Sequence, residues 1–304
     1  MVRDLTVKTG EGQWLPRPGP SVVPEDLMDD VKKLFARVIK YHAASRQDEF
    51  MLIYDNARYR CAKITAPEAF GAQKTDQTQN WCLRKINEGV MPFEALGLSA
   101  FIRRQMNTYA HRRGLVLVCG SFGSGKTTTA SSLFDHWVTT QKEIGVTLED
   151  PPEVSLEKMG PNGTIFQIDL TENSPEEAIR KLRRWNARYV FLGEIRTAEA
   201  AQELLQISQS GPLVISTIHA SAPVSAITAL VRFASARMSE NDSRDLIART
   251  LQGVIYQSLE GGKFHTRYLS VGEKDDFNVR TKIRLGDFHR IDEVLEQQEK
   301  NRPS

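Results

Sequence analysis

The stretch GSFGSGKT, Gly120 to Thr127, matches G-x-x-x-x-G-K-[S/T] at every defined position. Such a loop does one kind of chemistry. The backbone of Gly120, Ser121, Phe122, Gly123, Ser124 and Gly125 turns its N–H groups inward and makes a nest for phosphate oxygens. The helix that follows adds its positive end. Lys126 has the reach and charge for β- and γ-phosphates, and the Thr127 hydroxyl suits Mg²⁺. Thr128 follows in the first helical turn. A plain Gly/Ser turn would not need a buried strand before it and a helix after it, and the sequence supplies both.

Three further stretches carry candidate groups. YVFLGEIRT, Tyr189 to Thr197, runs an apolar strand into Gly193 and then Glu194 and Arg196. Metal-side strands of nucleotide-hydrolysing sites usually end in aspartate where Gly193 stands. TLEDPPE, Thr147 to Glu153, ends a strand with Glu149 and Asp150 before a double proline. Alone it fits acids capping a strand before a turn as well as it fits catalytic acids. STIHA places His219 at a strand end, which by itself suits a structural histidine as well as a functional one.

These residues need elements to hold them. GLVLVCG, IGVTLED, RYVFLGE and PLVISTIH read as short strands buried on both faces. The segments between them read as helices. Ser174-Pro175-Glu176-Glu177 is a helix start, and AEAAQELLQISQSG is a helix ended by Gly211. Alternating strands and helices predict a layered α/β fold with a largely parallel sheet, whose ligands bind outside the carboxyl ends of the strands. Upstream, apolar residues from Leu27 to Ile39 recur at helical spacing. EFMLIYDNARYRCAKI reads as two strands joined at Asp55-Asn56. Residues 65–80 read as a polar loop. After Gly261-Gly262, KFHTRYLSV and FNVRTKIRLGDF read as a hairpin and RIDEVLEQQEK as a closing helix. The expected organisation is a flexible arm over 1–23, a small α+β domain and linker over 24–98, and the α/β domain over 99–304.

The 304 residues are 40% apolar and 26% charged, with a net charge of +2, an ordinary globular composition. The apolar runs are far too short to span a bilayer, and no signal peptide is expected. Cys61, Cys82 and Cys119 show no paired spacing, which argues against a disulfide framework or zinc site and fits a reducing cytosol.

GSGKTTT, TLEDPPE, FLGEIR and STIHAS, in that order, resemble the PilT/GspE-type secretion and pilus motor ATPases, a RecA-like branch whose signatures are the Walker A, Asp, Walker B and His boxes. In that family the Walker B strand ends in Gly-Glu. The resemblance implies a RecA-like P-loop ATPase domain with a degenerate PAS-like N-terminal domain, ATP/ADP and Mg²⁺ as ligands, and a cytoplasmic homo-hexamer docked on an inner-membrane component of its machine. It further implies that Glu149 is a general base or water polariser, that Glu194 positions water or metal, that Arg196 assists it, and that His219 senses the nucleotide state. Arg84 matches a linker arginine. Arg58 and Arg60 match strand arginines that reach a neighbouring subunit's nucleotide, although an RYR strand also suits a solvated or salt-bridged face.

The chain departs from the family pattern in places. Pro212 follows Gly211 where the first His-box histidine stands, Asn186-Ala187-Arg188 replaces an acidic Asp-Pro-Asp, and the tetra-cysteine module is absent. These departures favour the type IV secretion or conjugation branch that includes DotB and TraJ. Two other functions compete. RKLRRWNAR, Arg180 to Arg188, could serve a nucleic-acid translocase, although stable nucleic-acid binding is not expected. The altered His box could serve a nucleotide-binding regulatory subunit with little turnover.

Overall fold

The structure, a computed structural model, describes residues 4–8, 14–17, 25–64, 80–86, 89–171, 175–271 and 278–302. The chain divides into two units, Met1–Glu88 and Gly89–Ser304.

The first unit holds strands β1 (Asp4–Lys8) and β2 (Trp14–Arg17), helix α1 (Glu25–Ser45), and strands β3 (Glu49–Tyr54), β4 (Ala57–Ile64) and β5 (Asn80–Lys85). The strands form one antiparallel sheet in the order β2-β1-β5-β4-β3. The lead-in expected to be an arm therefore contributes two strands. Leu5 and Val7 alternate with polar residues in β1, a period that Pro and Gly counts conceal. Asp55 and Asn56, with φ of 49° and 58°, close the β3–β4 hairpin as such a two-residue turn requires. Leu34 and Val38 of α1 pack with Phe50, Leu52, Cys61, Trp81 and Leu83. Residues 65–79 of the expected loop lie outside the described residues, as do 1–3, 9–13 and 18–23 of the expected arm.

The second unit opens with a 3₁₀ turn (Phe93–Ala95) and helix α2 (Ala100–Tyr109), capped by Ser99 Oγ accepting from the Ile102 N–H at 3.3 Å. Then come β6 (Gly114–Gly120), α3 (Lys126–Gln141), β7 (Ile144–Glu149), β8 (Thr164–Asp169), α4 (Pro175–Trp185), β9 (Tyr189–Ile195), α5 (Ala198–Gln209) and β10 (Leu213–His219). The chain continues through α6 (Pro223–Ala234), α7 (Glu240–Thr250), β11 (Leu251–Glu260), β12 (Lys263–Ser270), α8 (Val279–Leu285) and α9 (His289–Lys300). The sheet order is β12-β11-β6-β10-β9-β7-β8. All neighbours are parallel except β11 and β12.

Both sheet faces are covered, and the strands alternate between two cores. Leu115, Leu117 and Cys119 of β6 join the core built with α5, α6 and α7. Val116 and Val118 join the core built with α2 and α3, together with Phe93, Leu96 and Leu98 of the segment ahead of α2. This two-sided burial is why the strands read as unbroken apolar runs.

The expected C-terminal hairpin fails as well. The partner of β12 is β11, not the later segment: Gly261 and Gly262, at φ of 56° and 77°, make a two-residue turn between them. The later segment is helix α8. Its Val279-Thr281-Ile283-Leu285 spacing fits a strand, but Val279 and Ile283, four apart, are buried while Leu285 is exposed, which is the helical face. The Ser174 cap expected for α4 lies outside the described residues.

Candidate functional site

The glycine-rich loop leaves the end of β6 and enters α3 at Lys126. Gly123 and Gly125 take φ of 74° and 84°, the left-handed backbone that turns successive N–H groups inward. Gly120 has no room for a side chain: a Cβ there would lie 2.2 Å from the Gln257 carbonyl oxygen and 2.6 Å from Ser124 Oγ. The loop is tied down from inside and from β11. Ser124 Oγ donates to the Ser121 carbonyl at 2.9 Å, Lys126 Nζ donates to the same carbonyl at 3.0 Å, and Gln257 Nε2 donates to the Ser124 carbonyl at 2.5 Å. Lys126 is buried, and Thr127 and Thr128 are half-buried in the first turn. Phe122 is 85% exposed at the loop's apex. A buried ammonium with three donors beside inward amides and a helix N-terminus is the donor set that suits a phosphate chain.

Glu149 ends β7 and is only 3% exposed. Burial pushes its carboxyl up to about 7, against a smaller lowering by its hydrogen bond from Gln167. Gln167 Nε2 donates to Glu149 Oε1 at 3.0 Å and to the Val154 carbonyl at 2.7 Å, and Gln167 Oε1 accepts from the Leu156 N–H at 3.2 Å. The turn after Glu149, which includes the cis Asp150–Pro151 bond, is thus fastened to β8.

The strand that ends in Gly-Glu has a geometric answer. Between β9 and β10 the register slips: Ser216 lies opposite Leu192, while Thr217 lies opposite Glu194. Gly193 is the extra residue of a bulge, and its carbonyl accepts from Thr217 Oγ1 at 3.1 Å and Ser216 Oγ at 3.3 Å. A bulge re-aims the next side chain, here Glu194. A Cβ on Gly193 would stand 3.5 Å from both Cα and Cγ of Glu149, so an aspartate there would face a buried carboxyl. Glu194 pairs with Arg196, whose Nε donates at 2.6 Å and whose Nη2 lies 2.5 Å from the same carboxylate oxygen.

These groups share one cleft of about 270 Å³, lined among others by Thr127, Glu149, Gly193, Glu194, Arg196 and Thr217. It opens at the carboxyl ends of β7 and β9, where an open α/β sheet binds its ligands. Among the described residues no group of three or more His, Cys, Asp or Glu could by itself hold a metal ion. The Thr127 hydroxyl and the Glu194 carboxylate fit Mg²⁺ of the kind that keeps its waters and takes other ligands from phosphate. His219 ends β10 exposed, in register with Gly120. Pro212 gives its carbonyl to the Gly114 N–H at 3.2 Å.

The candidate arginines Arg58, Arg60 and Arg84 share one face of the first unit's sheet. Arg60 stands opposite Arg84 across β4 and β5, and Arg58 is two residues from Arg60. Arg60 also meets Glu49 at 3.3 Å. Of the basic run Arg180 to Arg188, Arg188 lies between α4 and β9 and is committed locally, donating from Nη2 to the carbonyls of Arg112 at 2.8 Å and Ala110 at 3.2 Å. The side chains of Arg180, Lys181 and Arg183 lie outside the described residues.

Sequence patterning missed Gln167, Gln257 and Thr217. Each acts through a contact set by strand order; Gln167 and Gln257 lie in no motif, and Thr217 lies inside STIHA, where His219 alone stands out as a candidate.

The model of a family described as "Type II/IV secretion system protein" matches residues 51–265. The type II secretion system protein E of Dickeya dadantii (strain 3937) is 36% identical over 141 residues, 46% of this chain and 28% of that protein. The type IV pilus retraction ATPase PilT of Pseudomonas aeruginosa is 28% identical over 193 residues, 62% of this chain and 55% of that protein. The chain thus spans little more than a quarter of the first relative's length and about half of the second's. Among solved structures, the pilus retraction motor PilT with bound ADP superposes with a TM-score of 0.75 at 22% identity, covering 97% of this chain and 86% of that one. The Legionella pneumophila ATPase DotB gives 0.69 at 20% identity, covering 95% and 83%. At these identities the likeness is one of fold.

Proposed function

The chain belongs to the type II/IV secretion system protein family, and from that premise we propose that it is an ATPase that works as a homo-hexameric motor. Its seat is the cytoplasmic side of an inner-membrane machine of the type IV secretion, conjugation or pilus kind. The observation that carries the reading is the cleft in which Thr127 of the phosphate loop meets Glu149 and Glu194.

Position supports the following roles. The loop amides from Gly120 to Gly125, with Lys126 and Thr128, hold the phosphate chain. Thr127 and Glu194 hold Mg²⁺, which supplies charge neutralisation at the phosphates. Glu149, buried and able to change protonation near neutral pH, takes the proton of the attacking water. Arg196 fixes Glu194, and His219 stands beside the loop to register its contents. Arg58, Arg60 and Arg84 supply positive charge to a nucleotide of the hexamer, as an arginine finger does. ATP draws the elements around the cleft together, and loss of the γ-phosphate releases them.

The test is Mg²⁺-dependent ATP turnover per protomer against protein concentration. A rate per protomer that climbs to a plateau is expected, because the arginines act in trans. Lys126→Ala abolishes nucleotide binding, and Glu194→Gln binds ATP with almost no turnover. Wild-type turnover in Glu194→Gln refutes the site. Tight nucleotide binding without turnover in the wild type points instead to a regulatory subunit. Steeply salt-dependent binding of single-stranded DNA points to a translocase.

A further inference from the structure

The carboxamide of Gln167 can take only one orientation. The Val154 carbonyl can only accept a hydrogen bond and the Leu156 N–H can only donate one, and they hold Gln167 Nε2 at 2.7 Å and Gln167 Oε1 at 3.2 Å. The group turned to Glu149 is therefore always the NH₂. It meets Glu149 Oε1 at 3.0 Å. The reach is diagonal: Gln167 stands opposite Thr147 in the β7–β8 register, and Glu149 is two residues further along the same face. An oxygen that accepts from a fixed N–H donor is a poor place for a proton, because the acid O–H would point at another hydrogen. The Thr147 hydroxyl and the Glu153 backbone N–H also favour the ionised carboxyl, and the fixed amide donor at Oε1 makes Oε2 the better place for the proton.

We propose that Gln167 is a positioning residue that holds Glu149 by Oε1 and so directs the proton of the attacking water to Oε2. This rests on Glu149 being the proton acceptor of ATP hydrolysis. In that step the water oxygen bonds the γ-phosphorus, its proton passes to Glu149 Oε2, and the bridging P–O bond breaks with its electron pair leaving on ADP. Gln167 reaches Glu149 from outside the residues that line the cleft. Its effect is on which oxygen of Glu149 reacts and at what pH. A donor to the ionised form favours that form, so losing the donor moves the acid limb of activity upward. The other charged groups around Glu149 are Asp150 and Glu153 on its turn, Asp169 opposite it on β8, Glu194 and Arg196 after β9, and Glu199 and Glu203 on α5. All of them stay in place in the variants below.

The experiment is the single-turnover rate of ATP hydrolysis by the full chain from pH 5.5 to 9.5, for the wild type, Gln167→Leu and Gln167→Glu, with ADP affinity measured by calorimetry. Gln167→Leu should move the acid limb up by about one pH unit and lower the rate at pH 7 by about fivefold. ADP affinity should change by less than about twofold. Gln167→Glu keeps the size but must share a proton with Glu149, so its limb should move further in the same direction. If Gln167→Leu does not fold, Gln167→Glu decides the matter alone. An acid limb that coincides with the wild type in a folded variant overturns the proposal, as does a defect confined to nucleotide affinity. A merely structural clamp would lower stability and leave the limb where it was. Glu149→Gln separates the two levels: full turnover there refutes Glu149 as the base, whereas an inactive Glu149→Gln beside an unshifted Gln167→Leu refutes only the role of Gln167.

Discussion

Replacing Gly193 with aspartate would restore the acid that commonly ends a metal-side strand, and it should impair this site. The backbone tolerates a side chain, since Gly193 lies outside the left-handed region. The space is tight but ordinary: an added Cβ sits 3.5 Å from Glu149 Cα, Glu149 Cγ and the Leu148 carbonyl oxygen. Gly193→Ala should therefore fold and turn over ATP within about threefold of wild type. Aspartate adds charge to the same contact. Its carboxylate would stand roughly 4 Å from that of Glu149, and two like charges at that distance repel by about 4 kcal/mol at an effective dielectric constant of 20. Fully expressed, this is about three pH units on Glu149, and after relaxation about one. Glu149 already sits at about 7, so the deprotonated fraction at pH 7.5 should fall by about threefold at the least and beyond about a hundredfold at the most. The assay is turnover against pH for wild type, Gly193→Ala and Gly193→Asp, with ADP binding as the control. A Gly193→Asp profile that overlays that of Gly193→Ala would refute the electrostatic reasoning. Equal damage from both would locate the fault in packing.

Other outcomes follow from the same geometry. Burial pushes the Glu149 carboxyl up to about 7, well above the ordinary carboxylate value of 4.5, so the folded protein binds that proton more readily than the unfolded chain. Its buried charge is harmless below about pH 4.5 and destabilising by on the order of 3 kcal/mol above about pH 7. Glu149→Gln should accordingly raise the melting temperature at pH 8 and leave it nearly unchanged at pH 5, which scanning calorimetry would show. Gly120→Ala should lose nucleotide binding in a calorimetric titration, because its Cβ meets the Gln257 backbone carbonyl at 2.2 Å and the loop must move to admit it. Ser99→Ala should cost about 1 kcal/mol in chemical denaturation by removing the α2 cap, with no change in turnover.

What could be read from the sequence follows the range of the forces involved. The buried strands β6, β7, β9 and β10 show as apolar runs because both faces of each are covered, and the phosphate loop shows because its chemistry is done by contiguous backbone. The edge strand β8 does not show. Its one strand neighbour is β7, beyond which only an isolated bridge joins Ile165 to Lys158, and its residues Thr164 to Asp169 are mostly half-buried, so its pattern is neither a run nor a clean alternation. The α8 segment misleads because four residues at period two, Val279 to Leu285, also place Val279 and Ile283 on one helical face, and only the burial of those two against the exposure of Leu285 decides.

Gln167 sits on that inconspicuous edge strand, and its position explains why the site needs more than its motifs. Glu149 is separated from Gln167 by eighteen residues, and the contact exists only because β7 and β8 run parallel with Thr147 opposite Gln167. The register that brings a donor to Glu149 also fastens the double-proline turn through Val154 and Leu156. On the far side, the bulge at Gly193 leaves a backbone without a side chain against the same carboxyl. One neighbour thus offers a hydrogen bond and the other withholds a charge. With the Thr147 hydroxyl and the Glu153 backbone N–H, which also lower it, they leave a carboxyl that is 3% exposed near neutrality. The Gly-Glu ending of β9 and the glutamine of β8 are two halves of one electrostatic condition. If so, the two perturbations act on the same titration and should not add. The acid limb of the double variant Gly193→Asp with Gln167→Leu should differ from the sum of the single shifts by about half a unit or more, and strict additivity would mean that the two neighbours act on Glu149 independently.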